Sequence, residues 1–362
     1  MTVPLARPAI ADVAFARAFA REAARRDVRG MSLVELMVAM ALSVLVLGTL
    51  AALFGGSSSN RNALERSARL AENAHYAMEV LRSDIAQAGY FDALVTGAGA
   101  FAWQTPDPGP CATDPNTLGW GNPPPTSPAK SITSAPAPIY GLRAVDATPA
   151  CLPDRKAGTA ILMVRFVGPE ATPAASATGT PYLQMSKCDL ETPNIQNLGV
   201  FSSTPADFTL HNIGCTAAAD VKRYVSRAYY VATCDRCGVD TIPTLKRADL
   251  VGDQIVITPV TEGVENFQVT YGLDANGDGT PDRFLEYPDA TIAPAYGAWA
   301  NVMAVRVYLL VRSTDAEPGY SESNQFNLGP AGYVAAPVDG YKRLLVTSLV
   351  RPMGPAGQRE TP

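Results

Sequence analysis

Histidine is scarce in this chain, and the residue patterns of common catalytic sites are missing. The 362 residues include two histidines, His75 and His211. Neither lies in a nucleophile elbow or in a thiol-protease signature. No glycine-rich phosphate-binding loop of the P-loop type occurs in the sequence. We therefore expect no enzymatic activity.

Excess positive charge is also lacking. The chain has 29 basic and 34 acidic residues, a net charge of −5. Residues 1–30 contain six arginines and three acids, a net charge of +3, so residues 31–362 carry −5 − 3 = −8. A chain this acidic does not attract nucleic acid by general electrostatics. We expect no nucleic-acid partner.

Long hydrophobic runs are absent except near the N-terminus. Leu36 to Phe54 are 19 uncharged residues, which as a helix reach about 30 Å, the thickness of a bilayer core. One acid, Glu35, stands at the start of this run, where an unpaired carboxylate costs several kcal/mol. The arginine-rich residues before it favour a cytoplasmic N-terminus, with the remainder of the chain exported.

The residues from Gly30 to Glu35, Gly-Met-Ser-Leu-Val-Glu, resemble the processing site of type IV prepilins. In that family a prepilin peptidase cuts after the glycine and methylates the new N-terminus. The resemblance implies cleavage between Gly30 and Met31, and it makes Glu35 the assembly residue at mature position five. The family usually has Phe where this chain has Met31. The alternative is a plain single-pass anchor with an isolated glutamate.

A helical pattern resumes after the apolar run. Apolar residues recur at helical spacing, and Gly89 is a stop signal. The repeating positions are Leu64, Ala71, Met78 and Ile85, with Ala74, Leu81 and Ala88 on the same side. Gly55, Gly56 and Ser57 to Ser59 are expected to break or soften the helix. We predict a long helix from Met31 to Ala88, with a membrane half and an amphipathic half.

The rest of the chain predicts strands separated by long irregular stretches at 100–157 and 170–220, the second with short strands near Tyr182 and Phe208. The predicted strands are Thr159–Val167, Tyr224–Thr233, Asp253–Thr258, Val264–Gly272, Met303–Arg312 and Arg343–Arg351. Several short strands after one helix indicate an α+β domain, with an antiparallel sheet packed on the helix.

The C-terminal series extends the resemblance. VRF, YYV, EGVENFQVTYGLDANGDG, VMAVRVYLLVRS and YKRLLVTSLVRP, in this order, are similar to PilW-type minor pilins. The resemblance implies a pilin-like fold and a minor pilin that primes or caps the type IV pilus fibre. It implies as partners other minor and major pilins, the prepilin peptidase and the inner-membrane assembly platform. Expected locations are the inner membrane, with a periplasmic C-terminal domain, and then the fibre.

Two other functions remain open from the sequence. A minor pseudopilin of a type II secretion system shares the leader and helix, and an adhesin on a pilin-like stem would bind a partner through the loop with Trp103 and Trp120. Neighbouring genes would separate these classes. The predicted segments are the same for all three: a leader at 1–30, a membrane and assembly helix at 31–54, its amphipathic second half at 55–90, and a β-rich domain at 91–362.

Six cysteines lie in the exported part, an even number that predicts disulfides in an oxidising compartment. They are Cys111, Cys151, Cys188, Cys215, Cys234 and Cys237. Fifteen pairings are compatible with the sequence. Cys234 and Cys237 form a lone C-x-x-C, for which we favour a local structural disulfide over a redox or zinc site.

The loop from Asp274 to Asp282 is the one candidate metal site, and no other cofactor is expected. Oxygen-bearing side chains occur there at alternate positions around glycines, a pattern suited to Ca²⁺. The candidate ligands are Asp274, Asn276, Asp278, Thr280 and Asp282. An EF-hand would have an acid at its twelfth position, where this chain has Leu285, followed by Glu286. The alternative is an ordinary hairpin turn, which Asn-Gly and Asp-Gly also favour.

Overall fold

The computed structural model describes residues 31–95, 101–121, 130–191, 197–288, 298–317 and 319–359. Gly30 and the predicted leader lie outside the described residues, as do short segments within the two stretches predicted to be irregular. The chain divides into two compact units, Met1–Ala63 and Leu64–Pro362.

Helix α1 comprises Leu33–Gln87, close to the predicted bounds. Its backbone stays helical through residues 55–59, where the glycines and serines predict a break or a soft segment. Gly89 ends it as expected, with φ +78° and its amide donating to the Arg165 carbonyl at 2.9 Å. A Cβ on Gly89 would lie 2.6 Å from Cδ of Pro355, so only glycine fits there.

In the second unit, α1 buries one side against the sheets. The buried apolar residues are Leu70, Ala74, Ala77, Met78, Leu81 and Ile85, followed by Ala88 just after the helix. Two predicted core positions are wrong in part, since Leu64 is 71% exposed and Ala71 is only half-buried. A straight α-helix drifts by about 20° per heptad relative to a strict seven-residue repeat. Projecting the repeat back to Leu64 therefore places that residue too close to the core.

An eight-stranded sheet forms the larger part of the domain. Its strands are β2 (Lys130–Ser131), β4 (Ile139–Leu142), β5 (Ile161–Thr172), β6 (Tyr182–Met185), β7 (Leu198–Ser202), β8 (Val221–Ala232), β9 (Thr244–Val251) and β10 (Gln254–Glu262). All its pairs are antiparallel. β8 is central, with β5 along one edge while β6 and β9 share the other, and β10 is an outer strand.

A four-stranded antiparallel sheet forms the second layer. Its order is β12 (Arg283–Leu285), β11 (Val264–Leu273), β13 (Val302–Arg312) and β16 (Arg343–Val350). Residues between β13 and β16 form a small hairpin of β14 (Gln325–Asn327) and β15 (Tyr333–Ala335). A short helix, α2 (Met353–Arg359), follows β16.

The main hydrophobic core lies between these elements. It joins the buried side of α1 to Leu162, Val164 and Phe166 of the large sheet and to the inward side chains of β11 and β13. The predicted α+β class, with a long apolar N-terminal helix and an antiparallel domain, is confirmed. The prediction of a single sheet is too simple, because α1 packs on two.

The two stretches predicted to be irregular contain more strands than expected. The first holds β4 and two parallel strands of two residues each, β1 (Ala102–Trp103) and β3 (Ser134–Ala135), in addition to β2. The second holds β6, as expected near Tyr182, and also β7, which the sequence analysis missed. The short strand predicted near Phe208 is not found there, and a single turn of 3₁₀ helix, Pro205–Asp207, precedes this residue.

Candidate functional site

The candidate assembly site is the start of α1. Ser32 precedes the helix, and its hydroxyl accepts a hydrogen bond from the Val34 amide at 3.2 Å. Glu35 lies in the first helical turn, where the helix dipole favours a negative charge. Ser32 and Glu35 have the S-x-x-E spacing of a capping box. Glu35 is predicted from the sequence and Ser32 is not, although this spacing is a signal for it.

The apolar segment after Glu35 presents its side chains outward. Leu33–Leu53 is long and apolar enough to cross a membrane by length and composition, and every residue from Met31 to Leu53 is exposed. Ser43 and Thr49, two polar residues in it, donate to carbonyls one turn earlier, at 2.9 and 2.8 Å. Within the described chain no hydrogen bond or ion pair involves the Glu35 carboxylate.

The loop from Asp274 to Asp282 is closed by hydrogen bonds between its own residues. Asp274 is 1% exposed, and its two carboxylate oxygens accept from the amides of Gly277 and Gly279 at 2.6 and 2.9 Å. Asp278 accepts from the Thr280 hydroxyl at 2.6 Å and amide at 2.7 Å. These two hydrogen bonds, the hydroxyl first, hold the pKa of Asp278 below its ordinary value.

The remaining candidate ligands also serve the turn. The Asp282 carboxylate accepts from the Ala275 amide at 2.7 Å, and the Asn276 amide group donates to Asp278 at 3.0 Å. The predicted oxygen atoms are thus gathered in one loop, but each acid already caps a backbone or side-chain donor. A hairpin turn accounts for the acidic pattern without an ion, and calcium binding stays a prediction.

All six cysteines are paired, and the pairs are local. Cys111 bonds to Cys151, Cys188 to Cys215, and Cys234 to Cys237. The first two close loops in the stretches predicted to be irregular. The C-x-x-C pair closes the turn between β8 and β9, where the Asp240 carboxylate caps the amides of Asp235 and Arg236 at 2.9 and 2.8 Å.

The surroundings of the C-x-x-C do not form a zinc site in this state. The Asp154 carboxylate lies with the sulfurs of Cys234 and Cys237 in a group whose atoms are all within 4.8 Å of one another. Because the two sulfurs are bonded to each other, no thiolate ligands are present. The ammonium group of Lys246 lies 3.7 Å from the Cys237 sulfur.

Among the residues that the structure describes, neither histidine contacts a nucleophilic side chain. His75 is exposed on α1. His211 Nδ1 lies 2.5 Å from a carboxylate oxygen of Glu191, and the other oxygen accepts from the Ser186 hydroxyl at 2.6 Å. This arrangement ties the Cys188–Cys215 loop to β6.

Trp120 belongs to the core and does not form an exposed binding surface. It is 6% exposed and stacks on Phe201 with ring centroids 4.7 Å apart. Phe91 and Tyr224 meet its ring edge-on. This burial removes one of the two tryptophans proposed for partner binding in the adhesin alternative.

A polar network joining α1 to the large sheet was missed at the sequence level. Asp84, 5% exposed, receives two hydrogen bonds from Arg227 at 2.7 and 2.9 Å and a third from the Tyr229 hydroxyl. Arg227 also donates to Asp249 at 2.9 Å. Burial, and then the nearby carboxylate, raise the pKa of Tyr229. The network fixes the rotation of α1 on β8.

Two segments of the chain, one near the N-terminus and one in the C-terminal half, match models of known protein families. Residues 25–51 match the model of the prokaryotic N-terminal methylation motif. Residues 228–351 match the model of the type IV pilus-assembly protein W family. The chain is a PilW-like type IV pilin. The first match spans Met31, Glu35 and the start of the exposed apolar helix, and the second spans β9–β16 together with the end of β8.

A solved structure adds only a weak similarity. A type IV-like pilin from Thermus thermophilus is 13% identical, with a TM-score of 0.33 over 79% of this chain and 98% of that one. At this TM-score the similarity supports no argument. No curated protein matches the chain.

As a PilW-like pilin, this chain is a minor pilin of type IV pilus assembly. Its apolar helix anchors it in a membrane, and its family membership implies contacts with other pilins and with the pilus machinery. Pilin families are structural proteins.

Proposed function

We propose that the chain is cut between Gly30 and Met31 by a prepilin peptidase, methylated at Met31, and held in the inner membrane before it enters the fibre. Six arginines against three acids before the cut favour a cytoplasmic N-terminus. The C-terminal domain then lies in the periplasm, where its three disulfides form readily.

Glu35 is the observation that carries this proposal. Its carboxylate lies in the first turn of an exposed apolar helix, without a partner in the described chain. After cleavage, the amine of Met31 is a cation about one helical turn away. In a fibre, the same carboxylate meets the amine of a neighbouring subunit and fixes the axial step between them. Such head-to-tail contacts generate open helical assemblies.

The resemblance to minor pilins supports an early or terminal role in the fibre, and the large domain with its many loops is compatible with it. The second unit, Leu64–Pro362, includes two disulfide-closed loops of 40 and 27 residues' separation. We infer that this subunit joins other minor pilins in a complex that primes or caps the fibre, instead of repeating along its length.

The test uses the full chain in cells that make type IV pili. The mature protein is purified and the mass of its N-terminal peptide is measured; the expected peptide starts at methylated Met31. Deleting the gene should reduce the number of surface pili, and the full chain should restore it. Gly30→Leu should retain the leader and fail to restore pili.

Two outcomes would overturn the proposal. An intact leader on protein recovered from sheared fibres would contradict the processing step. Normal piliation after deletion, together with a loss of protein secretion, would assign the chain to a secretion pseudopilus.

A further inference from the structure

The four-stranded sheet ends in a long open edge at β16. This strand pairs with β13 over eight residues, Arg343 to Val350. It is the last strand in the order of its sheet. From Leu344 to Val350 the sequence, LLVTSLV, contains no charge and no proline. Strands at sheet edges are usually protected from pairing by charge, proline, bulges or short length.

The pairing register shows which backbone groups of β16 face outward. The Ser313 amide donates to the Lys342 carbonyl at 2.8 Å, so the backbone groups of Lys342 point toward β13. In an antiparallel ladder, hydrogen-bonded and non-hydrogen-bonded pairs alternate along the strand. Leu345, Thr347 and Leu349 consequently direct their N–H and C=O groups away from β13. No hydrogen bond joins these groups to another residue that the structure describes.

The start of the edge is closed and the remainder is open. The amide of Arg343, the first outward-facing group, lies beside the carboxylate of Glu322. Beyond it, Thr347 is exposed and Leu349 is 54% exposed. Leu344 and Val346 face the main core but are only partly buried. The edge therefore leaves both backbone groups and core side chains partly uncovered.

The outer strand of the other sheet is protected. β10 carries Pro259, has a register irregularity between Pro259 and Thr261, and ends at Glu262. Proline removes a ladder donor and the irregularity disturbs pairing. The two edges of similar length thus differ in the features that prevent strand addition. This difference also disfavours pairing of β16 with β10 of a second copy.

We propose that the β16 edge binds an extended segment of another pilin subunit, which adds as a fifth strand. The outward N–H and C=O groups can all be satisfied at once by another extended backbone, as in β-strand addition. Because β16 is uncharged from Leu344 to Val350, the matching segment is uncharged, with apolar residues at alternate positions that cover Leu344 and Val346. The partner's identity as a pilin rests on the proposed function.

Photo-crosslinking in cells tests the contact directly. The full chain carries a photoreactive phenylalanine analogue in place of Thr347 or, as the matched control on the protected edge, Val256, which is 41% exposed. Crosslinked peptides are identified by mass spectrometry. Position 347 should link to an extended segment of a different pilin, and position 256 should not. Links from 347 to a second copy of this chain, or no link, would overturn the inference.

A backbone variant tests the hydrogen bonds. Thr347→Pro removes an outward-facing N–H that has no partner in the described domain, so the folded chain should tolerate it, as edge strands do. Its recovery in sheared fibres should fall about three- to tenfold, since one backbone hydrogen bond to the partner is lost. Thr347→Ala keeps the N–H and should behave as wild type.

Controls separate this inference from the proposed function. Thr347→Pro should retain normal processing and a normal melting temperature in detergent; if it does not, the crosslinking result decides. If a folded Thr347→Pro chain is recovered normally while Glu35→Leu is recovered poorly, strand addition at β16 is refuted and the proposed assembly role of Glu35 is not. Normal recovery of Glu35→Leu would instead refute the assembly role of the N-terminal segment.

Discussion

At the scale of single residues, Arg165 of β5 shows how a loop is held on the domain. Arg165 is 1% exposed, and its guanidinium binds both carboxylate oxygens of Asp107 at 2.7 Å and the Ala137 carbonyl at 2.8 Å. Removing one partner of a buried ion pair leaves the other charge without compensation.

Asp107→Ala should therefore lower the free energy of unfolding by about 3–5 kcal/mol, as measured by denaturant unfolding of the full chain in detergent. Glu65→Ala is the matched control, because Glu65 and Arg69 form a pair whose side chains are 61% and 68% exposed. Exposed pairs of this type contribute below about 1 kcal/mol. Equal losses in the two variants would contradict the assignment.

Asp339 makes stability depend on pH. Hydrogen bonds from Arg343, at 2.9 and 2.6 Å, hold the pKa of Asp339 below its ordinary value. A carboxyl group with a lower pKa in the folded state stabilises the protein above its unfolded pKa, and this contribution is lost as pH falls through the folded value.

Asp339→Asn should therefore reduce the melting temperature at pH 7 and show a smaller further loss than wild type between about pH 5 and pH 3. Melting curves of the full chain over this range provide the measurement. Parallel pH profiles for the two proteins would show that Asp339 does not contribute to acid sensitivity.

At the scale of elements, the loop between β11 and β12 is the clearest test of ion binding. Calcium bound at Asp274–Asp282 would stabilise the folded state by about 2.7 kcal/mol at a hundredfold excess over the dissociation constant. Calcium should raise the melting temperature relative to a chelator, and Asp278→Ala should abolish this difference.

Asp278 suits this experiment because its carboxylate is exposed and bonds only within the loop, to Asn276 and Thr280. Asp235→Ala, in the turn between β8 and β9, is a control for loss of an acid elsewhere. Identical melting curves with calcium and with chelator would leave the hairpin turn as the sufficient explanation of the acidic pattern.

The same scale shows how far sequence reasoning reaches. The helix and six strands are predicted at the right places because their periodic apolar residues correspond to buried faces, although β5 and β10 continue past their predicted ends. β9 is missed because TLKRADLV contains three charged residues, which lack the expected strand composition. In the fold, Arg247 and Asp249 pair with each other and Asp249 also pairs with Arg227. These partners come from tertiary pairing, which one sequence does not reveal.

The candidate sites also differ in whether the sequence alone can locate them. Glu35 and the Asp274–Asp282 loop are contiguous motifs, so spacing alone locates them. The disulfide pairing, the Asp84 network and the open edge of β16 depend on which strands become neighbours. The sequence permits 15 cysteine pairings, and the topology selects one by bringing the two ends of each loop together.

At the scale of the whole molecule, the chain combines a folded domain, whose apolar side chains are buried and whose polar groups are mostly hydrogen-bonded, with an N-terminal segment whose side chains are exposed. Every residue from Met31 to Leu53 is exposed, and the Glu35 carboxylate has no partner in the described chain. An unpaired carboxylate is costly in a bilayer, which is why we propose that a neighbouring subunit in the assembly supplies its partner.

Glu35→Leu should therefore still insert and still be processed, but its amount in sheared fibres should fall at least about tenfold relative to wild type, because the Met31 amine loses its partner at a low-dielectric site. Ser43→Leu is the matched control, since the Ser43 hydroxyl already donates to Met40 of its own helix at 2.9 Å. Immunoblots of fibre and membrane fractions give the ratio. Wild-type recovery of Glu35→Leu, or an equal loss for Ser43→Leu, would show that Glu35 does not determine assembly.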